Sequence, residues 1–164
     1  MPDVRVAGER EVLTAMLDWY REGVVAKVAG ISSEHAAATP LRSATSIAGL
    51  VKHLALVEDS WFHVRFAGHP DSEPWASAPW ADDRDWEFHS AADDSMDELL
   101  ELYQAACERS RAITAAHQLD DVGADTARHV FTLRWILVHL IEETARHLGH
   151  LDVLRELLDG TTGE

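Results

Sequence analysis

Four stretches of this chain carry apolar side chains at helical spacing for about 20 residues or more, and none alternates apolar with polar residues as a half-buried strand does. Such a chain must fold by packing helix on helix. The first stretch runs from about Glu9 to Ala29, with Val12, Leu13, Met16, Leu17, Tyr20, Val24 and Val25 in phase and Gly30 as its stop. The second starts behind a Ser46 cap and carries Ile47, Leu50, Val51, Leu54, Val57, Trp61 and Val64 to Gly68. The third follows Asp93, Asp94 and Ser95 and runs through Met96, Leu99, Leu100, Tyr103, Ala106 and Ile113 to about His117. The fourth extends from about Thr132 through Trp135, Ile136, Leu140, Leu151, Leu154 and Leu158, and Gly160 closes it. In 164 residues, 46% of them hydrophobic, this predicts an all-α four-helix bundle in a single domain, residues 1–164.

Charge removes several function classes. Fourteen Lys plus Arg face 29 Asp plus Glu, a net charge of -15 that repels nucleic-acid phosphates and anionic lipid, so neither nucleic acid nor membrane is an expected partner. No apolar run reaches the roughly 18 residues of a membrane span, and the N-terminus lacks the basic start and apolar core of a secretory leader. Cys107 is alone and cannot form an internal disulfide, which fits a cytoplasmic protein. The count of 10 histidines is high and matters more, because imidazole is a common metal ligand.

The fourth helix places chemistry in its apolar face. On a wheel with His139 at zero, its leucines and Ile136 cluster between about 60° and 120°, while Glu143 falls near 40° and His147 near 80°. A buried carboxylate costs several kcal/mol unless paired, hydrogen-bonded or bound to a cation. Glu143 and His147, four apart, can reach one ion; His139, about 12 Å of helix rise from His147, cannot join them. His53, at the edge of the second helix's apolar stripe, is the best third ligand, giving the candidate metal set His53, Glu143 and His147. His139 and His150 flank it as candidates for support or proton transfer. The same spacing also suits a simple Glu143–His147 hydrogen-bonded pair with His53 at the core edge. His35, His69, His89, His117 and His129 fall in loops or at helix ends, and Glu58 lies at the far margin of the second helix's stripe. Cys107 shares the inner side of the third helix with Tyr103 and Ala106 and reads as an inert buried thiol. The long acidic segment 69–92, with Trp75, Trp80 and Trp86, reads as a packed loop: a lid, a pocket wall, or a cover for the bundle flank or an oligomer contact.

The stretch LRWILVHLIEETARHLGHLDVLREL, residues 133–157, resembles the last helix of the DinB-like superfamily, and SIAGLVKHLALVEDSWFHVRFAG, residues 46–68, resembles its second helix with the ligand histidine. LDWYREGVVAKVAGIS and LLDGTTGE fit the same pattern, so the likeness spans nearly the whole chain. It is strongest to the branch of mycothiol S-transferases and the N-terminal domain of mycothiol-dependent maleylpyruvate isomerase. The resemblance implies an up-down bundle, commonly a homodimer, with a divalent metal, Zn²⁺ or Ni²⁺, at one end. Its ligands map to His53 and His147, with Glu143 where many members have histidine and the isomerase-like branch has glutamate. It further implies a low-molecular-weight thiol such as mycothiol as co-substrate, activated for attack on a small electrophile. The alternatives are isomerisation or hydrolysis at the same site, the former disfavoured because no second domain follows the bundle, and a non-catalytic metal-binding stress-response bundle.

Overall fold

A computed structural model of the chain describes residues 2–125 and 130–163. In order, the elements are α1 (Glu9–Val28), α2 (Ser33–Ala37), α3 (Ile47–Glu58) running on into a π-helical segment (Asp59–Phe66), α4 (Trp86–Ser90), a 3-10 turn (Ala91–Asp93), α5 (Met96–Ala116) and α6 (Leu133–Asp159). The described residues are all-helical apart from loops and one isolated antiparallel bridge between Val122 and Thr132. No helix among them is long and apolar enough to cross a membrane.

The four long segments start and stop where the caps predict. The Ser46 hydroxyl accepts from the Gly49 amide, and the Thr132 hydroxyl accepts from that of Trp135. Ser95 and Glu98 form a reciprocal capping box on α5. Gly160 ends α6 in the left-handed conformation, at φ 77°, which a side chain would strain. Two departures stand out. The second stretch is not one regular helix, since it widens to π winding after Glu58, and the 69–92 segment holds the short helix α4.

α1 packs on α6, while α3 packs on α5, α4 and α6. That places α3 in the centre: between Ile47 and Glu58 only His53 and Leu56 escape full burial. The core is in two parts. One gathers Val24, Leu50, Leu54, Leu99, Leu151 and Leu154; the other gathers Leu17, Phe62, Phe66, Leu133, Ile136 and Leu140. Along α1 and α3, the residues between these two groups include Arg21 and Glu58. Glu58, 1% exposed, takes two charge-assisted hydrogen bonds from Arg21, Nε to Oε1 and Nη2 to Oε2, both 2.7 Å. Burial opposes the charge on Arg21, and Glu58 outweighs it, holding the guanidinium still further above its usual range. Asp59, also 1% exposed, receives Arg109 from α5 and the indole N–H of Trp75 at 3.0 Å. These consecutive carboxylates tie α3 to α1, to α5 and to the tryptophan-bearing segment.

Candidate metal centre

The seam between α3 and α6 brings His53, Glu143 and His147 together. One donor atom from each lies within 4.8 Å of the others, and His147 Nε2 stands 3.7 Å from Glu143 Oε1. The His53 and His147 rings meet edge to face with centroids 5.0 Å apart. All three are half-buried, with side chains 21%, 20% and 12% exposed, so the group opens to solvent on one side. Donors around a tetrahedral ion with bonds of about 2.1 Å stand about 3.4 Å apart. Small side-chain rotations bridge that difference, and two imidazoles with one carboxylate are a donor set that suits a borderline divalent cation.

Both imidazoles are turned the right way by their other nitrogen. Glu87 Oε1 lies 3.0 Å from His53 Nδ1. A carboxylate only accepts, so Nδ1 carries a proton, which in the neutral ring leaves the lone pair on Nε2. His147 Nδ1 lies 3.3 Å from His150 Nδ1, leaving Nε2 facing Glu143. Burial, with repulsion between the two rings when both are protonated next, pushes His147 down to about 4, so the ring is neutral at neutral pH. Arg146 Nη1, 3.8 Å from Glu143 Oε2, and Glu142, which pairs with Arg146, point outward as the wheel predicts.

Glu87 is absent from the sequence reading because it lies in an irregular segment, where periodicity carries no signal. Its side chain is 7% exposed, and its second oxygen is buried without a hydrogen-bond partner. The helix that carries it, α4, is held against α3 from both sides. Lys52 bonds Ser90 and Asp94 and lies over the Trp86 ring at 4.5 Å, while Phe88 stacks on His53 at 5.2 Å. Gly49 permits the approach, since a Cβ there would sit 2.7 Å from the Phe88 ring. The 69–92 segment thus forms a wall of the candidate site, with Trp75 buried in the core beneath it.

The remaining candidates separate cleanly. His139 packs against Trp61 and Trp135, at 4.8 and 5.0 Å, and is not among the three grouped donors. His63 stacks on His69, and His89 bonds Asp83; His129 lies outside the described residues. Cys107 is buried, and burial together with Glu58 pushes its thiol up to about 12, so it supplies no thiolate. A cavity of about 560 Å³ lined by Arg21, Tyr103, Cys107 and Arg111 lies between α1 and α5 and shares no residue with the triad.

A profile of the mycothiol-S-transferase family matches residues 12–160, nearly the whole chain, and so takes in His53, Glu143, His147 and Glu87. Among proteins of curated function, none matches the chain. With the profile spanning every long helix, the chain belongs to the mycothiol-S-transferase family, within the DinB-like superfamily.

Proposed function

We propose that this chain is a metal-dependent thiol S-transferase in which His53, Glu143 and His147 hold a divalent cation, Zn²⁺ or Ni²⁺, and the co-substrate is a mycothiol-like thiol. The observation that carries the reading is the convergence of three ligand-competent side chains from two helices in a chain of this family. A bound divalent cation supplies positive charge that stabilises a thiolate at neutral pH. The chain's own groups do the rest. Three protein donors leave room for the thiol, and the open side of the seam admits the electrophile. Glu143 offsets part of the cation's charge, and Glu87 fixes the tautomer of His53. In the reaction the sulfur bonds to an electrophilic carbon, its proton passes to solvent, and any leaving group departs with its bonding pair. The packing of α1 on α6 and of α3 on α5 and α6 supports an up-down bundle in one domain, residues 1–164.

The test is metal content in tag-free protein. About one Zn²⁺ or Ni²⁺ per chain is expected, lost in His53→Ala and in Glu143→Ala, with thiol conjugation of a small electrophile that stops on chelation. Protein that takes up no metal on reconstitution overturns the reading. A second outcome concerns Glu87. Glu87→Ala is expected to weaken metal binding by about 10–100-fold in competition with a chromophoric chelator. Glu87→Gln should fall between, because its amide oxygen still accepts from His53. Equal affinity in all three proteins would show that Glu87 does not position the ring.

A further inference from the structure

Every fourth residue from 131 to 147 belongs to one series: Phe131, Trp135, His139, Glu143, His147. Residues four apart form a continuous ridge on a helix, so along α6 the ladder runs Trp135, His139, Glu143, His147, with Phe131 packed just before the Thr132 cap. His139 stands about 6 Å of helix rise from Glu143. Phe131 and Trp135 have centroids 4.6 Å apart at 38°, and Trp135 and His139 are stacked at 5.0 Å and 21°. Trp61, from the π-helical segment of the other wall of the seam, meets Phe131, Trp135 and His139 at 5.0, 5.2 and 4.8 Å. The Arg65 guanidinium covers one face of Trp61 at 4.5 Å. Yet this aromatic cluster is not sealed: Trp135 is 44% exposed, and Val138 beside it is 52% exposed.

We infer that this ladder seats the electrophile, and that the electrophile carries a flat aromatic or conjugated apolar body. The inference rests on the transferase reading above and names its substrate class. Aromatic faces bind flat apolar groups by offset stacking and edge contact. The seat continues along the same ridge into Glu143, so a molecule lying on it presents its reactive carbon toward the triad. The alternative occupant is a helix of a second copy, and sedimentation of wild type and Trp135→Ala distinguishes the two. Beyond Val138 the exposed positions of α6 are Glu142 and Arg146, ion-paired to each other, then Gly149 and His150, before apolar Val153 and Leu157 return.

The test uses the full chain, freed of metal by chelation and without thiol, with 2-naphthol as aromatic probe and cyclohexanol as its saturated counterpart. Trp135→Ala should weaken 2-naphthol binding about fivefold, the factor to which about 1 kcal/mol of ring contact corresponds. Trp135→Phe should retain most of the affinity, and wild type should bind cyclohexanol more weakly than 2-naphthol. The inference is overturned if Trp135→Ala binds 2-naphthol as wild type does. It is equally overturned if sedimentation shows that Trp135→Ala breaks up an assembly of the wild-type chain. Because metal and thiol are absent, a failed probe experiment leaves the transferase reading standing. Failure of the metal measurement would in turn leave the seat in place but without its reaction.

Discussion

Truncating Glu58 to alanine is expected to cost about 3–5 kcal/mol of folding stability, the usual penalty for stranding one partner of a buried ion pair. Arg21 is 5% exposed, and its two shortest bonds both go to Glu58. Its other carboxylate neighbour, Asp18, has a side chain 36% exposed and also receives Arg111, so it replaces Glu58 poorly. Domains of this size are stable by only about 5–15 kcal/mol, so the loss is a large share of the whole. Urea unfolding of wild type, Glu58→Ala, and the double variant Arg21→Met/Glu58→Leu measures it. The double variant should recover most of the loss, since apolar side chains of similar volume fill the site without a desolvated charge. A single-variant loss under about 1 kcal/mol would mean that water reaches the pair and that it does not tie α3 to α1.

The second large effect falls on chemistry. His147→Ala should lower kcat/KM for thiol conjugation by at least about 100-fold, more than loss of a supporting residue, because a donor itself is removed. The fold should survive, since His147 lies on the open side of the seam with Thr144 and Leu151 still packed beneath α6. The decisive comparison is between metal content and rate: both must fall together, with circular dichroism and the urea midpoint little changed. If His147→Ala keeps its rate within about tenfold of wild type, the reacting centre lies elsewhere. Low rate with full metal content would instead assign His147 a role in orienting substrate.

Legibility from sequence followed physical regularity. Ser46, Ser95, Thr132 and Gly160 mark helix ends by local chemistry, and the structure places all four at ends. Glu143 and His147 were visible because two polar residues interrupt an otherwise apolar sector of a regular helix. Glu58 falls at the margin of the apolar stripe yet is buried, because a wheel assumes one buried face, whereas α3 is surrounded on nearly all sides. The π winding after Glu58 leaves no mark in the 3.6-residue pattern of the second stretch. Glu87 was invisible for a different reason: its contact with His53 joins residues 34 apart through a segment without periodicity. The ladder from Phe131 to His147 is written plainly at intervals of four, but its first three members look like ordinary apolar and margin residues until Trp61 is set against them.

The charged pair lying between the two halves of the core also acts as a vernier. Apolar clusters of leucine and phenylalanine resist axial sliding only through the fit of their side chains, worth a few kcal/mol. A charged pair resists through its charge: displacing α1 along α3 by one turn, about 5.4 Å, would drive Arg21 and Glu58 apart into hydrocarbon. Because α1 is also the helix on which α6 packs, the axial setting imposed at Glu58 passes through α1 to α6. His53 and the Glu143–His147 pair face each other across the two helices aligned in this way. The spacing of the three candidate ligands therefore depends in part on a pair of charges that never touches them.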